Sequence, residues 1–429
     1  MKVLLVNKFH YRKGGAETYY LEVGSALERM GHKVAYFSMT HPENIPCAQE
    51  KYFVTQREYN NVSNPFKAVV DGVALVYSPE AKRNFQRLCE EFQPDVVHLN
   101  NVHRQITLSI LNARYLAGRH VPIVYTAHDY VTVCPGYLML DGKGCVCDRC
   151  LKDAQYWHCV ENCCVKGSRA KSALAALEAS FNRARGMNEK IDRVIAPSRF
   201  MAEKLVEGGW PAEKISVLQN FANDEIIERA RLGGPDATDL KRPYLLYFGR
   251  LSREKGVDIL VDAFSAIVPF LPEWRLVVAG DGPEFDALKD RASSSGVSNF
   301  VKFVGYQSGE PLRRYVERAS LVVSSSQCRE NMPFSVIEAF AAGTPVVGTR
   351  IGGIPELVSE GMTGFLCEPG DVTSLANAIR RGVALCDNHE AYQSMQDRCR
   401  RYVIKNCDQH RFMERLIEIY QEELYGKRA

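Results

Sequence analysis

The fold is decided by one stretch, SSSQCRENMPFSVIEAFAAGTPVV, which occupies positions 324–347. Apolar runs at 321–323 and 346–347 predict a buried strand on either side of it. Between them a helix is predicted to begin near Pro333, because proline at the first helical position loses no hydrogen bond that the helix could have made. That helix should end at Gly343. The order strand, loop, helix, strand indicates a parallel sheet, and ligands bind at the carboxyl edge of such sheets.

Two carboxylates bracket the predicted helix start, Glu330 in the loop and Glu338 eight positions later. A helix start offers unpaired N–H groups and a partial positive charge, which suit a phosphate or sugar oxygen. Ionised carboxylates accept hydrogen bonds from a ligand rich in hydroxyls. The simpler interpretation is a capping glutamate and a solvated one. Glu338, however, lies one turn from Phe334 and Ala342, on the face the helix should bury, where an unpaired charge is costly.

Length and composition limit the class of protein. A chain of 429 residues predicts two domains, and 46% apolar with 24% charged residues is typical of a soluble globular protein. No run of 18 apolar residues occurs and the first residues lead straight into a strand, so we predict neither a signal peptide nor a membrane span. The expected location is the cytoplasm. A net charge of +3 is too small for a typical nucleic-acid-binding protein.

One part of the chain is locally basic. Between Lys166 and Arg199 there are eight basic and three acidic residues. A solvated helix face is the simpler interpretation. The functional one is peripheral contact with the inner face of an anionic membrane, or with a lipid-diphosphate acceptor.

Strands and helices alternate along the chain, which predicts an α/β fold with doubly wound parallel sheets. The pattern ends in a breaker-rich segment at 231–243 and then starts again. We therefore predict a first domain at 1–230, a linker at 231–243, a second domain at 244–408 and a terminal helix at 409–429. Two similar halves predict a cleft between them for the substrate.

The segment GRLSREKG at 249–256 places two cations at the end of a predicted strand. Arg250 can bind an anion as a planar fork and Lys255 as a point charge. No Asp-x-Asp pair that would hold a divalent metal occurs in the chain, so fixed cations are the other way to bind a diphosphate. Such cations could be ordinary surface residues. Their predicted position, on the same sheet edge as Glu330, favours an anion site.

Gly14 and Gly15 follow the first predicted strand, where glycine lets a ligand approach the backbone closely. They do not form the G-x-G-x-x-G fingerprint, so a dinucleotide-dependent oxidoreductase is not predicted.

These motifs resemble the E-x7-E and G-R-x4-K-G signatures of retaining glycosyltransferase family 4, the group 1 glycosyltransferases of GT-B fold. The resemblance covers most of the chain. It implies two Rossmann-like domains that face a central cleft, the first for the acceptor and the second for the nucleotide-sugar donor, with the terminal helix packing back on the first. It also implies that a sugar passes, with retention, from a UDP- or GDP-sugar to a glycan or lipid-linked acceptor in cell-surface polysaccharide synthesis. No metal cofactor is implied for catalysis.

The resemblance also implies roles for individual residues. The leaving diphosphate would be held by Arg250 and Lys255, and the ribose by Glu338. The transferred sugar and distal phosphate would be held by Glu330 and by backbone N–H groups of Asn331, Met332, Pro333 and Phe334. The base would touch the loop at Gly305 and Tyr306. The diphosphate would be covered by Gly14 and Gly15, in a segment similar to the family's G-G-x-E with Glu17 at its end, and the anomeric centre would face His128. Asn331 stands where glycine is usual, which leaves the donor sugar open.

Fourteen cysteines is a high number, and seven lie between Cys134 and Cys164. In a cytosolic chain such a cluster favours metal binding over disulfides. We predict a structural zinc or iron–sulfur site, with the ligands drawn from Cys145, Cys147, Cys150, Cys159 and Cys163. Unligated thiols and a redox or disulfide role are the alternatives.

Two other functions fit a GT-B fold. A sugar-nucleotide epimerase would change the donor without an acceptor. A non-catalytic nucleotide-sugar binding protein would keep the fold alone, and the joint presence of Arg250, Lys255, Glu330 and Glu338 argues against it.

Overall fold

The computed structural model describes residues 1–57, 72–233 and 243–426, which divide into two compact units. One unit holds Met1–Leu218 and the chain from His410 onward, and the other holds Gln219–Gln409. Each unit contains its own six-stranded parallel sheet. The predicted α/β class with two doubly wound sheets is confirmed.

The sheet of the first unit has the strand order β2-β1-β3-β4-β5-β6. Its strands are β1 Lys2–Val6, β2 Lys33–Phe37, β3 Val96–Leu99, β4 Ile123–Thr126, β5 Arg193–Ala196 and β6 Ile215–Val217. All pairings are parallel; Val3, for example, lies opposite Val34 on one side and Val96 on the other. β3 and β4 are buried along their whole length, as expected for strands covered by helices on both faces.

Helices connect these strands over the faces of the sheet. Those of the first unit with described bounds are α1 Gly15–Arg29, α2 Pro79–Phe92, α3 Arg114–Arg119, α4 Arg149–Asp153, α5 Trp157–Glu161, α6 Arg169–Ala184 and α7 Arg199–Glu207; residues 72–76 are helical as well. The longest of them, α6, is capped by Ser168, whose hydroxyl accepts the N–H of Lys171.

The second sheet has the order β12-β11-β10-β7-β8-β9. Its strands are β7 Tyr244–Phe248, β8 Arg275–Ala279, β9 Val301–Gly305, β10 Leu321–Ser324, β11 Val346–Thr349 and β12 Gly364–Cys367. Its helices are α8 Asp224–Leu232, α9 Val257–Ile267, α10 Phe285–Ser294, α11 Gly309–Glu317, α12 Phe334–Ala342, α13 Ile354–Leu357, α14 Val372–Cys386 and α15 His389–Asn406.

The last helix, α16 (Gln409–Gly426), brings the end of the chain back to the first unit. The Tyr420 hydroxyl lies 2.6 Å from Nδ1 of the fully buried His98 on β3. Nε of Arg193 donates to Glu423 at 2.7 Å. Phe412 packs edge-on against Tyr19 of α1. The helix therefore belongs to the first core, as the resemblance implies.

The boundary between the units differs from the sequence prediction. The first unit was predicted to run to residue 230, but the division lies between Leu218 and Gln219. The reason is α8, because its buried residues Ile227 and Ala230 belong to the core of the second unit. Residues 234–242 of the predicted linker, and residues 427–429 of the predicted terminal segment, lie outside the described residues.

The deciding stretch folds nearly as predicted. β10 and β11 flank α12, and Gly343 closes the helix with a φ of +81°, a conformation that glycine adopts without strain. The helix begins at Phe334 instead of Pro333. Pro333 has a ψ of 124° and is the extended residue before the helix.

No helix in the described ranges has the length and apolar character needed to cross a membrane.

Candidate functional site

Two motifs of the second unit meet at the carboxyl edge of its sheet. Gly256, at the end of the first motif, precedes α9 in a left-handed conformation with a φ of +62°. A Cβ on Gly256 would lie 2.2 Å from the carbonyl oxygen of Ser325, in the loop after β10. The Ser325 hydroxyl donates to the carbonyl oxygen of Lys255 at 2.9 Å, and Gln327 N–H donates to that of Glu254 at 2.8 Å. The loops after β7 and β10 are thus joined backbone to backbone.

This junction pairs Lys255 with Glu330. Lys255 Nζ lies 2.5 Å from Glu330 Oε1, which also accepts the Ser326 hydroxyl at 2.6 Å. The second carboxylate oxygen of Glu330, Oε2, makes no hydrogen bond with any residue that the structure describes. An ionised oxygen that is free in this way is an acceptor for a ligand hydroxyl.

The pair is held in its charged form. Burial acts to lower the pKa of Lys255, but the carboxylate of Glu330 raises it overall. Burial acts to raise the pKa of Glu330, but the charge of Lys255 and the hydrogen bonds from Lys255 and Ser326 keep it below its usual value. The site therefore presents a fixed ammonium and a fixed carboxylate at neutral pH.

Arg250 lies exposed at the end of β7. Its guanidinium makes no hydrogen bond or ion pair with any described residue, while its carbonyl oxygen accepts the Tyr247 hydroxyl at 2.9 Å. The backbone there is anchored and the cation is free, an arrangement suited to an anionic ligand.

Glycines allow the loops of this edge to pack closely. A Cβ on Gly280 would lie 1.9 Å from the carbonyl oxygen of Gly249, and one on Gly282 would lie 2.2 Å from that of Leu251. A Cβ on Gly352 would lie 2.2 Å from the carbonyl oxygen of Glu330. These close approaches of one backbone to another hold the loops that carry Arg250 and Glu330 in place.

Glu338 lies on α12, half-buried and without a hydrogen bond or ion pair to any described residue. Burial raises its pKa to about 7. An unpaired carboxylate in such a place is costly unless a ligand supplies donors.

The start of α12 corrects one predicted role. Pro333 has no backbone N–H and cannot donate to a sugar or phosphate. Met332 is buried; its carbonyl oxygen accepts the Asn220 side-chain amide at 2.8 Å and its Sδ accepts the Asn220 backbone N–H at 3.1 Å, so both its backbone and its side chain anchor the loop. Backbone donors in this segment are therefore restricted to Asn331, Met332 and Phe334.

The predicted base contact lies at the end of β9. Gly305 has a φ of +70°, and a Cβ there would meet nothing within 4 Å. Tyr306 is 69% exposed, so a ligand can reach the backbone of this loop; the contact with the base stays a prediction.

In the first unit, Gly14 and Gly15 lie exposed at the start of α1. The buried Glu17 of the same segment accepts from Asn7 Nδ2 at 3.4 Å, and burial raises its pKa. Gly14 has an extended backbone with a φ of −168°, so its conformation does not require glycine. A Cβ there would lie 3.5 Å from Glu17 Oε2, an ordinary contact.

His128 lies just beyond the carboxyl end of β4. Its Nε2 is 2.9 Å from Oδ1 of Asn100, and its ring packs edge-on against Tyr19. Burial lowers the pKa of His128 to about 3, so the imidazole is neutral at pH 7. An amide oxygen only accepts hydrogen bonds, so Nε2 of His128 carries the proton and donates it to Asn100. The other ring nitrogen, Nδ1, is then the one that can accept a hydrogen bond.

The structure gathers a different set of cysteines from the predicted one. Cys150 and Cys159 are buried in a small core, and Cys164 packs against it. Cys134 and Cys147 also lie near Cys150. Burial raises the pKa of Cys150 to about 12, which keeps the thiol protonated.

Cys145 and Cys163, two of the predicted ligands, stay outside that core. Cys145 is exposed, and the thiol of Cys163 donates to the carbonyl oxygen of Val160 at 3.8 Å. Among the described residues, which include the whole 134–164 segment, no group of three or more His, Cys, Asp or Glu is arranged to hold a metal. The predicted set therefore does not fit a zinc or iron–sulfur site. A cysteine-bound metal stays a prediction, for which metal analysis of protein purified without oxidation is the measurement.

Sequence reasoning missed several residues that build the site. Ser326 and Gly352, which hold Glu330, and Asn220, which anchors Met332, were not predicted. Gly352 and Gly353 follow the end of β11 after two intervening residues, and a glycine pair close behind a strand was a usable signal. No sequence signal marked Asn220, because its partner Met332 lies 112 positions away.

Comparisons with known proteins concern the family and the fold of the chain. Residues 13–226 match the family model described as Glycosyltransferase Family 4, and residues 235–402 match that described as Glycosyl transferases group 1. The N-acetyl-alpha-D-glucosaminyl L-malate synthase of Bacillus anthracis is 28% identical over 244 residues, 55% of this chain and 61% of that protein. The lipopolysaccharide 1,2-N-acetylglucosaminetransferase of Salmonella typhimurium is 30% identical over 217 residues, 46% of this chain and 55% of that protein. Each match spans less than two thirds of the relative's length.

Solved structures resemble the whole chain. Sucrose-phosphate synthase from Thermosynechococcus elongatus has a TM-score of 0.69 at 20% identity, covering 99% of both chains. Anabaena HepE in complex with UDP-glucose has a TM-score of 0.65 at 20% identity, covering 98% of this chain and 100% of that one. At this identity the likeness concerns the fold. The two family models together span most of the chain, and the protein belongs to the group 1 glycosyltransferases of family 4, with a two-domain GT-B fold.

Proposed function

We propose that this protein is a retaining glycosyltransferase that moves a sugar from a UDP- or GDP-sugar to a glycan or lipid-linked acceptor in cell-surface polysaccharide synthesis. The observation that carries the proposal is the Lys255–Glu330 pair beside the start of α12. Within the described ranges, neither the second carboxylate oxygen of Glu330 nor the Arg250 guanidinium of the same unit has a bonding partner. Fixed cations suit a diphosphate, and free carboxylate oxygens suit sugar hydroxyls. The Anabaena relative was crystallised with UDP and UDP-glucose, so uridine donors come first in any test.

The proposed reaction is a same-face, dissociative substitution. The bond from the anomeric carbon to the donor phosphate oxygen breaks, and the bond to the acceptor oxygen forms on the same face. The proton of the acceptor hydroxyl passes to the leaving phosphate oxygen. Negative charge builds up on the diphosphate, where Arg250 and Lys255 stabilise it. His128, neutral at pH 7, is proposed to face the anomeric centre. No divalent metal takes part.

Contact with a membrane surface is also proposed. Lys166, Arg169 and Arg185 are exposed, so they can meet anionic headgroups or a lipid diphosphate. Arg193 is excluded from this role, because it is paired with Glu423.

A panel of nucleotide sugars tests the donor. UDP-glucose, UDP-N-acetylglucosamine and GDP-mannose are each added to the full chain, and the melting temperature is measured. We expect one of them to raise it, because a ligand that binds only the folded state stabilises that state. NMR of the same sample with no acceptor present separates the alternatives, since a changed donor sugar would indicate an epimerase. If no nucleotide or nucleotide sugar shifts the melting temperature, the proposal fails.

Glu338 predicts a pH dependence of donor binding. Its pKa is about 7 without ligand, and ribose hydroxyls that donate to the carboxylate would lower that pKa in the complex. Binding then releases a proton, so affinity should rise with pH through 7 and level off above it. We expect a gain of up to about tenfold from pH 6 to pH 8, measured by calorimetry with the donor identified above.

Glu338→Gln is the matched control for this measurement. The amide cannot titrate, so donor affinity in the variant should be weaker and independent of pH across the same range. Equal pH profiles for the two proteins would contradict the assignment of Glu338 to the ribose.

A further inference from the structure

The turn that ends α5 brings two cysteines together. The N–H of Cys164 donates to the carbonyl oxygen of Cys159 at 3.1 Å, and the N–H of Cys163 donates to that of Val160 at 3.2 Å. Cys163 has a φ of +49°, the left-handed conformation that combines two such bonds into a Schellman motif. In this motif the side chains at the two ends of the longer bond commonly contact each other. Here they belong to Cys159 and Cys164, which we call the Cys159–Cys164 pair.

The spacing of the Cys159–Cys164 pair suits a disulfide. Because a 3.1 Å hydrogen bond joins the two backbones, ordinary bond lengths limit the distance between the Cα atoms to about 7 Å. Disulfides usually span about 4.4–6.8 Å between Cα atoms. The two thiols are hydrogen-bonded to each other, and both cysteines are free in this structure. Only a small movement is therefore needed to join the two sulfurs.

The two thiols differ in their access to solvent. Cys164 is partly exposed and packs on the outside of the small core of the insert, whereas Cys159 lies within that core and is 1% exposed. The hydrogen bond from the Cys159 thiol also lowers the pKa of Cys164, although burial and the charge of Asp141 act against it. A thiolate is the nucleophile in thiol chemistry. An oxidant from solvent would therefore meet Cys164 first, with Cys159 directly behind it.

Neighbouring cysteines of the insert lack this arrangement. Burial raises the pKa of Cys134 to about 11 and that of Cys150 to about 12, which keeps both thiols protonated. The thiol of Cys163 donates to the carbonyl oxygen of Val160. The Cys159–Cys164 pair is therefore better suited to a reaction that needs an accessible thiol beside a second one.

The Cys159–Cys164 pair also lies against the segment that continues the loop after β4. A Cβ on Gly136 would lie 3.0 Å from the Cβ of Cys164, so the close approach depends on glycine. The N–H of Cys134 in the same segment donates to the carbonyl oxygen of Tyr130 at 2.7 Å, two residues beyond His128. A chemical change at Cys164 would thus occur beside the chain that leads from His128 into the insert.

We propose that the Cys159–Cys164 pair is a thiol–disulfide exchange site that reacts with a small-molecule disulfide such as glutathione disulfide. The Cys164 thiolate attacks one sulfur of that molecule, forms a mixed disulfide and releases one glutathione thiolate. Cys159 then loses its proton to water and attacks Sγ of Cys164, which forms the internal disulfide and releases the second glutathione thiolate. The cysteines lose two electrons and two protons, and glutathione disulfide is reduced to two thiols. This chemistry is separate from sugar transfer.

Peptide mapping of the full chain tests the exchange. The reduced protein is equilibrated with mixtures of reduced and oxidised glutathione, quenched with acid, alkylated and digested. Cleavage after Glu161 separates Cys159 from Cys163 and Cys164, so an internal disulfide appears in mass spectra as two joined peptides. We expect this product to form from the unaltered chain and to be lost again when excess reduced glutathione is added.

Single substitutions assign the two roles. Cys159→Ser removes the second thiol, so glutathione should stay attached to Cys164 as a mixed disulfide. Cys164→Ser should abolish both products, because the remaining thiol of Cys159 is buried. Cys163→Ser is the matched control, since it removes the adjacent thiol and should leave the internal disulfide unchanged. Thermal melting in reducing buffer checks that each variant is folded.

Several results would overturn this assignment. One is the absence of joined peptides at every glutathione ratio, and another is a disulfide that contains Cys163 in place of Cys164. A third is a Cys159→Ser protein that gathers no glutathione on Cys164. The last is stoichiometric zinc or iron held by the Cys159–Cys164 pair in protein purified without oxidation, because the thiols would then be metal ligands.

Discussion

Replacing Lys255 by alanine is expected to lower turnover by about 10²–10³-fold, the loss seen when one donor that stabilises developing negative charge is removed. The change removes the ammonium that would face the leaving diphosphate. It also leaves Glu330, whose side chain is 15% exposed, without its cation. We therefore expect the second unit to lose about 1–3 kcal/mol of stability as well. Initial rates with the identified donor, together with thermal melting, measure both effects.

Lys289→Ala is the control for this variant. Lys289 lies on α10 over the ring of Phe285 and has no part in the proposed site. It should keep the rate of the unaltered protein. A Lys255→Ala enzyme with a near-normal rate would show that Lys255 does not stabilise the diphosphate.

Arg250→Ala is expected to cause a similar loss of turnover, about 10²–10³-fold, with a different effect on stability. The Arg250 guanidinium makes no bond with any described residue, so its removal should change stability by no more than about 0.5 kcal/mol. Lys255→Ala should therefore lower both turnover and stability, whereas Arg250→Ala should lower turnover and leave stability nearly unchanged. Steady-state kinetics and melting of both variants, side by side, test this contrast.

Arg250→Lys refines the second prediction. Lysine keeps the charge but cannot bind two phosphate oxygens as a planar fork, so only part of the activity should return. If Arg250→Ala turned over at the normal rate, Arg250 would not stabilise the leaving diphosphate. If the variant unfolded, Arg250 would have a structural role instead.

The sequence predicts the fold well because its signals are local. Buried parallel strands appear as short apolar runs, and the motif residues follow these runs directly. Lys255 and Glu330 each come after a strand of one sheet, so their meeting at one edge could be predicted from strand order.

Features that depend on tertiary packing could not be predicted in this way. The helix Asp224–Leu232 has an ordinary amphipathic pattern, and only the completed core shows that it belongs to the second unit. The cysteine spacing indicated a metal site, but Cys145 is exposed and Cys163 lies outside the small core that holds Cys150. Pro333 was given a donor role by likeness to a motif, whereas the chemistry of proline excludes it.

The packing of α16 on the first unit also affects how the gene can be divided to produce each unit alone. A fragment that stops at Leu218 lacks the helix that covers His98 and Tyr19, and would expose an apolar strip to water. A fragment that starts at Gln219 and runs through α16 carries that helix without the core on which it packs. The complete first unit can therefore be made only by joining residues 1–218 to α16 through a new linker that replaces the second unit.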